Sequence, residues 1–230
     1  MATQLLTPAL NVFEHMALDE VIAHQNSSEP VLRFYHWAAG AAVTFGCSQF
    51  YTSVRGQVGS KNGPLCRRPT GGGMVFHKDD LTFSLVFTSS LRPAEIYARL
   101  HGAVEQALWQ AELAKSVRQA AVPAAAYTPA EQGIARGCFA SPVQDDLLVD
   151  GQKILGGAIR RFDKTVLYQG SLQCAGARTN PLFRRAIGQA AGKMLSVSFQ
   201  TAPVTAPVLQ QAKQQAVCQY QTRQWTEKFL

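Results

Sequence analysis

The chain has 230 residues but lacks any run of about eighteen apolar residues, the length that a helix needs to cross a bilayer. We therefore expect no membrane-spanning helix and no membrane partner. The N-terminal sequence, MATQLLTP, also lacks a basic start followed by an apolar stretch, so no secretory signal is predicted. Together these absences indicate a cytoplasmic protein.

Cysteines are few and unpaired in the sequence: there are five, they are scattered, and no CxxC motif occurs. Neither a disulfide framework nor a zinc site fits that distribution, and no metal site is expected. Most of these thiols are expected to pack as small apolar groups.

Acidic residues are outnumbered by basic ones, 15 to 22, which gives a net charge of +7. Such a balance favours an acidic partner. Nucleic acid does not fit, because the basic residues are dispersed singly or in short pairs, without a basic strip interleaved with aromatic residues.

The hydrophobic pattern predicts an α+β fold. Helices are predicted over residues 13–24, 93–115 and 182–194, and in a C-terminal segment that reaches Trp225. Strands are predicted over residues 30–35, 41–45, 81–88, 147–149, 153–158 and 165–173, with a hairpin turn at Asp150 and Gly151. Because strands come in groups with helices between them, we expect a central mixed sheet flanked by helices. No repeat or domain boundary is visible, so residues 1–230 are expected to form one domain.

Three consecutive glycines, at positions 71–73, lie between the basic pair Arg67-Arg68 and a short apolar strand. Glycine lets the backbone approach a ligand closely and point its amides at negative or carbonyl oxygen atoms. With Thr70 and His77 beside the run, an anionic or carboxyl-derived ligand is one interpretation, and a flexible loop or hairpin turn is the other. The spacing is not that of a phosphate-binding P-loop.

A second segment, residues 138–158, combines a thiol with a lysine. Cys138 can act as a nucleophile if a nearby cation stabilises its thiolate. Lys153 follows the predicted hairpin turn in an apolar neighbourhood, which suggests that its ammonium has a dedicated partner. A solvated lysine after a turn is the alternative.

Four groups of motifs, in order along the chain, resemble the biotin/lipoate A/B protein ligase superfamily. They are MALDE at 16–20, LRFYHW at 32–37 with GCSQ at 46–49, RRPTGGGMVFH at 67–77 with LTFS at 81–84, and DGQKILGGA at 150–158 with QGS at 169–171. Each group is weak alone, and the order of all four carries the resemblance.

The resemblance implies an acyl chain held in a tunnel beneath the glycine-rich loop. It implies that Cys138 and Lys153 are catalytic. Lys153 would contact the acyl carbonyl, or the carboxyl and phosphate of an acyl-adenylate. The residues that it implies in substrate binding are Arg68, Thr70, Gly71, Gly72, Gly73, His77, Gly156, Gly157 and Ala158. For His77, a structural role in bonding the loop is an equal alternative.

The superfamily contains octanoyltransferases, some of which pass the acyl group through a cysteine thioester, and ATP-dependent lipoate ligases. Cys138 and Lys153 are 15 positions apart, which is similar to the cysteine-type octanoyltransferases, and no C-terminal accessory domain is recognisable. The glycines at 71–73 are more similar to the ligases, and Lys78 and Gly157 depart from the usual pattern. The transferase is the preferred interpretation.

As a transferase, the protein is expected to need no tightly bound cofactor. It would move an octanoyl or lipoyl group from acyl carrier protein to an acidic lipoyl carrier, such as the H protein or the dehydrogenase acyltransferase subunit. As a ligase it would need ATP and Mg²⁺, and in some cases a separate accessory chain. A non-catalytic acyl-binding module is the third alternative.

Overall fold

The structure of the protein is a computed structural model that describes residues 1–25, 28–38, 40–59, 63–121 and 142–228. In chain order its elements are β1 (Ala2–Leu6), α1 (Val12–His24), β2 (Val31–Phe34), β3 (Ala42–Phe45), α2 (Tyr51–Arg55), β4 (Leu65–Arg67), β5 (Val75–His77), β6 (Leu81–Thr88), α3 (Pro93–Gln110), β7 (Arg118–Gln119), β8 (Leu147–Val149), β9 (Gln152–Phe162), β10 (Thr165–Leu172), α4 (Pro181–Leu195), β11 (Phe199–Pro203), α5 (Ala206–Gln215), a π-helical turn (Ala216–Tyr220) and α6 (Arg223–Thr226).

The strands form two sheets. The large sheet has eight strands in the order β11-β1-β2-β6-β10-β9-β8-β7, and the small sheet has three in the order β4-β3-β5. Strand β1 is parallel to both of its neighbours, whereas the other pairs of the large sheet are antiparallel. The result is the mixed sheet flanked by helices that the strand pattern predicts.

Strand β6 shows how the large sheet acquires two different faces. Successive side chains of a strand point to opposite sides, and Phe83, Leu85 and Phe87 pack with α3 and α4 in the larger hydrophobic core. Thr82 and Ser84 are also buried, but they bond to buried carboxylates on the other side. One buried face of the sheet is therefore apolar, whereas the other adds these polar groups to apolar ones such as Val86. This second face, called the polar face below, carries the candidate site.

Helix α1 covers that polar face. It begins with a capping box, in which the Asn11 side chain accepts hydrogen bonds from the amides of Phe13 and Glu14, and Glu14 accepts one from the Asn11 amide. The MALDE motif then places Asp19 against the sheet and Glu20 against the C-terminal segment. Polar residues on two sides of one helix explain why its apolar periodicity is weak while nearly all of it is buried.

Several predicted elements are confirmed. The strand predicted over 81–88 coincides with β6. The hairpin turn is confirmed, because Asp150 and Gly151 have positive φ angles of 50° and 79°, as the tightest hairpins require, and Val149 pairs with Gln152.

Other predictions were wrong in part. The helix predicted over 93–115 ends at Gln110, because Arg118 and Gln119 are drawn into the large sheet by pairing with β8. Strands β1 and β11 were not predicted. Both lie at or next to the sheet edge, where few of their side chains are buried and no alternating pattern results. The strands predicted at 30–35 and 41–45 exist but belong to different sheets.

Within the ranges described above, no helix combines the length and the apolar character needed to span a bilayer. The longest, α3, has polar residues along the side that does not face the sheet.

The C-terminal segment is fastened to α1 by the buried Glu20 carboxylate. Glu20 accepts hydrogen bonds from the Tyr220 hydroxyl at 2.8 Å and from the side-chain amides of Gln215 at 2.7 Å and Gln219 at 3.0 Å. Burial, together with this carboxylate, raises the pKa of Tyr220, so the phenol is a stable donor.

We expect Tyr220→Phe to lower the free energy of unfolding by about 1.5–3 kcal/mol, because a buried carboxylate loses a donor. Urea denaturation measures the change. Val217→Ala is the control, since Val217 lies on the same turn with 61% of its surface exposed, and it should change stability by no more than about 0.5 kcal/mol. A loss for Tyr220→Phe no larger than that of the control would contradict this account of the C-terminal segment.

Candidate functional site

A small, partly open cavity of about 30 Å³ lies between the polar face of the large sheet and the small sheet. One wall consists of β9 and β10 at residues 156–158 and 169–171. Arg68, His77 and Thr82 also line it. The structure therefore brings Arg68, His77 and residues 156–158, which are far apart in the sequence, to one cavity.

Arg68 holds the glycine-rich loop in shape. Its buried guanidinium donates hydrogen bonds to the carbonyl oxygen of Gly71, at 2.5 Å and 3.1 Å, and to that of Gly73 at 2.8 Å. A Cβ atom at Gly46 would overlap the Gly72 carbonyl, so the turn after β3 packs backbone against backbone with the loop. The loop is thus fixed by its neighbours, beside the cavity.

Thr70 connects the loop to the centre of the domain. Its hydroxyl donates to Oε1 of Gln169 at 2.6 Å, and Nε2 of Gln169 donates to the Asp19 carboxylate at 2.7 Å. Asp19 in turn forms a fully buried ion pair with Arg33. Gln169 lines the cavity whereas Thr70 lies behind it, so the Thr70 side chain positions the loop.

Arg67 binds a different part of the chain from Arg68. Its guanidinium is buried and donates to the carbonyl oxygens of Trp225 at 3.0 Å, Thr226 at 2.8 Å and Gln49 at 2.7 Å. The Trp225 indole donates back to the Arg67 carbonyl at 2.9 Å. Of the basic pair, Arg67 fastens the C-terminal segment and Arg68 shapes the loop.

Both ring nitrogens of His77 are occupied. Nε2 lies 2.9 Å from the Thr44 hydroxyl, and Nδ1 lies 2.8 Å from the Asp80 carboxylate. Burial alone raises the pKa of Asp80, but the His77 ring and the hydroxyls of Ser171 and Thr82 outweigh burial and lower that pKa to about 2. His77 therefore ties β5 to its surroundings and also presents its ring to the cavity.

Lys153 is buried and paired with a carboxylate. Its Nζ lies 2.7 Å from Oδ2 of Asp146, and the two side chains are 2% and 0% exposed. A Cβ atom at Gly156 would lie 2.6 Å from Nζ, so the ammonium packs against backbone that lines the cavity. The expected dedicated partner of Lys153 is confirmed, and the alternative of a solvated lysine is wrong.

Sequence reasoning missed the residues that hold this pair. The Tyr97 hydroxyl donates to Oδ1 of Asp146 at 2.7 Å and accepts from the Gly157 amide at 2.8 Å. The Val143 amide donates to Oδ2 of Asp146 at 2.7 Å. The apolar neighbourhood of Lys153 signals that an anion is needed, but it does not say which one, and Tyr97 lies on a helix more than fifty positions earlier.

The predicted nucleophile, Cys138, lies outside the described residues, and its role stays a prediction. Among the other cysteines, burial raises the pKa of Cys66, and it raises that of Cys174 to about 11, so neither thiol ionises readily. In the part of the chain that the structure describes, no three His, Cys, Asp or Glu side chains are arranged to hold a metal ion.

Known proteins resemble this chain in sequence and in fold. Residues 11–205 match the family described as the lipoyl protein ligase A/B catalytic domain. The octanoyltransferase LipM of Exiguobacterium sp. is 33% identical over 187 residues, which cover 73% of this chain and 64% of LipM. The chain thus spans less than two thirds of the length of the curated relatives it matches.

Two solved structures share the fold. Lipoate-protein ligase A bound with ATP superimposes with a TM-score of 0.80 at 22% identity, covering 100% of both chains. The bi-partite lipoate protein ligase of Thermoplasma acidophilum, described with its E2 lipoyl domain, gives 0.74 at 21% identity, covering 100% of this chain and 98% of that one. The α+β fold with a central mixed sheet is that of lipoate-protein ligases.

His101 makes the stability of the site region depend on pH. Its Nδ1 donates to the Asp145 carbonyl, and its Nε2 accepts from the Tyr168 hydroxyl. Burial lowers the pKa of His101 to about 3, with a smaller contribution from the Lys153 ammonium. Since a histidine in the unfolded chain has a pKa of about 6.5, only the unfolded state takes up this proton between about pH 6.5 and pH 3.

The unfolding free energy is therefore expected to fall as pH drops through this window, by up to about 1.4 kcal/mol per pH unit for this ring. Urea denaturation at pH 4.5, 5.5 and 6.5 should show a slope shallower by about that amount in His101→Gln. His36→Gln, which changes an exposed ring, should keep the wild-type slope. Equal slopes in both variants would contradict the assignment.

Proposed function

Because the chain belongs to the lipoyl protein ligase A/B catalytic domain family, we propose that it is an acyltransferase of protein lipoylation, which passes an octanoyl or lipoyl group to a lysine of a carrier domain. The observation that carries the proposal is the buried Lys153 ammonium, packed against Gly156 at the wall of the cavity. A fixed cation at that point is suited to an acyl carbonyl whose oxygen becomes negative during transfer.

The proposed reaction has two steps. The Cys138 thiol gives up its proton and attacks the thioester carbonyl of octanoyl-acyl carrier protein as the thiolate. The acyl–cysteine bond forms, the bond to the carrier sulfur breaks, and the carrier leaves as a thiolate that takes up that proton. The amine of the target lysine then attacks the cysteine thioester, the amide forms, and Cys138 is released as the thiol. In both steps Lys153 stabilises the oxygen of the tetrahedral intermediate.

In this proposal the acyl chain enters at the cavity, which has a volume of about 30 Å³ and has to widen around the chain. Its wall at Gly156, Gly157 and Ala158 has almost no side-chain volume, and the loop of Gly71–Gly73 lies beside Ala158. Apolar space next to the buried Lys153 ammonium is what an acyl thioester needs, because the chain avoids water while the carbonyl oxygen contacts a positive charge.

The transferase is favoured over the ligase by the curated relatives, which are named octanoyltransferases at 27–33% identity, and by the spacing of Cys138 and Lys153. The ligase alternative draws on the fold shared with an ATP-bound ligase and on the three glycines. In that chemistry Lys153 would contact the acyl-adenylate, with ATP and Mg²⁺ as co-substrates.

The proposed acceptor is an acidic lipoyl carrier, either the H protein or a dehydrogenase acyltransferase subunit, and the proposed donor is acyl carrier protein. Two observations support the acceptor. The chain carries a net charge of +7, and the Thermoplasma ligase is described with its E2 lipoyl domain. Both reactions are proposed to take place in the cytoplasm.

Incubation with octanoyl-acyl carrier protein is expected to add one octanoyl group to the protein, on Cys138, as seen by intact-mass and peptide mass spectrometry. Cys138→Ala should abolish both the adduct and the transfer to a purified carrier domain. Cys47→Ser and Cys174→Ser are matched controls, because each removes one half-buried thiol, and both should keep the adduct. Transfer that persists in Cys138→Ala would overturn the thioester route.

The same preparation, given ATP and free lipoate in place of the acyl donor, tests the ligase alternative by pyrophosphate release. The transferase predicts none. Release that supports lipoylation of the carrier would replace the transferase with the ligase. Tight acyl binding without turnover under either condition would indicate a non-catalytic module.

A further inference from the structure

We infer that Asp146 and Tyr97 are positioning residues that set where the Lys153 ammonium lies at the cavity wall. The inference rests on the proposed acyl transfer and adds two residues to it, neither of which is placed near the substrate by the sequence motifs. It is carried by the contacts around the Asp146 carboxylate.

Both oxygens of that carboxylate are held, by three partners in all. Oδ2 lies 2.7 Å from Nζ of Lys153 and accepts from the Val143 amide at 2.7 Å, while Oδ1 accepts from the Tyr97 hydroxyl at 2.7 Å. The Asp146 side chain is fully buried. The carboxylate is therefore held in one orientation, away from water, and it fixes the position of the Lys153 ammonium.

The same tyrosine also holds the cavity wall. The Tyr97 hydroxyl accepts a hydrogen bond from the Gly157 amide at 2.8 Å and lies 3.1 Å from the Gly157 carbonyl. Gly156 and Gly157 both line the cavity. One hydroxyl on α3 therefore connects the anion that fixes Lys153 to the strand against which the ammonium packs.

This arrangement matters because a lysine side chain has four rotatable bonds and a buried ammonium needs a counter-charge. Without Asp146 the ammonium would lose its counter-charge and its fixed position, and the acyl oxygen would lose a donor that is already in place. Electrostatic stabilisation of a transition state depends on donors that are already in place before charge develops. Asp146 and Tyr97 provide that placement.

The absence of a side chain at Gly156 contributes to the same arrangement. A Cβ atom there would lie 2.6 Å from Nζ and 3.7 Å from Asp146 Oδ1, so a side chain at position 156 would displace the end of the lysine. Glycine at this position lets Lys153 reach Asp146 while it stays at the wall.

The test compares steady-state octanoyl transfer from octanoyl-acyl carrier protein to a purified lipoyl carrier domain by the full chain and its variants. Asp146→Asn keeps the shape of the side chain and removes its charge. We expect kcat to fall about 10²-fold or more, as when an oxyanion donor is lost, with KM for the donor changed less than about threefold. Asp145→Asn, an identical change one residue away at a position of positive φ that asparagine accepts, should transfer at the wild-type rate.

A double variant separates positioning from a purely structural role. If Asp146 acts through Lys153, its replacement costs nothing more once the ammonium is gone, so Lys153→Met and Lys153→Met/Asp146→Asn should have equal kcat values. A double variant slower than Lys153→Met, or an Asp146→Asn protein that keeps wild-type kcat, would overturn the inference. So would a loss in Asp146→Asn that disappears when the rate is divided by the folded fraction from circular dichroism.

Tyr97→Phe covers the case in which Asp146→Asn does not fold. It removes the hydroxyl that donates to Asp146 and accepts from the Gly157 amide, and it keeps the ring. We expect kcat to fall about fivefold to tenfold with KM unchanged. An unchanged kcat in folded Tyr97→Phe would count against the inference.

If wild-type protein instead proves to form an acyl-adenylate, the same variants are compared by pyrophosphate release. Failure of the proposed transferase reaction and failure of the positioning role are then seen separately. Wild-type protein without either activity overturns both.

Discussion

One buried carboxylate, that of Asp19, joins the elements on which the cavity depends. It lies on α1 and accepts hydrogen bonds from Arg33 on β2, Ser84 on β6 and Gln169 on β10, with the Tyr35 hydroxyl as a further donor. A carboxylate removed from water is costly unless donors replace the solvent. Helix α1 can therefore pack on the sheet only where these donors surround Asp19. That position of the helix determines the shape of the polar face.

Among the described residues around the cavity, three buried carboxylates are stabilised in the same way. In each case a buried carboxylate bonds to a cation and also to neutral donors that hold it in one orientation, and the pairs are Asp19–Arg33, Asp80–Arg178 and Asp146–Lys153. Each set includes or touches a residue of the cavity wall, namely Gln169, His77 and Gly156. The wall is thus preorganised, because its polar groups are bonded to one another before any ligand arrives.

Much of the fold and part of the site could be predicted from the sequence. Elements with strong local signals were found, such as β6 with its β-branched and aromatic residues and the hairpin at Asp150 and Gly151, because their patterns reflect burial and turn geometry directly. The motif order also predicted which segments meet, and Arg68 and residues 156–158 do line one cavity. Strand β11 at the sheet edge and its neighbour β1 could not be predicted, because few of their side chains are buried and no alternating apolar pattern results.

The sequence by itself suggested a dedicated partner for Lys153, with a solvated lysine as the alternative, because a lysine among apolar residues is seldom buried unless it is paired. Only the tertiary structure decided that Asp146 is this partner and that Tyr97 holds it, because partners across a fold are chosen by packing and leave no periodic trace. The adjacent arginines show the same division. The motif shows that both arginines lie beside the glycine loop. Only the structure shows that Arg67 bonds to the C-terminal segment and Arg68 to the loop. They differ because successive residues of an extended chain point to opposite sides.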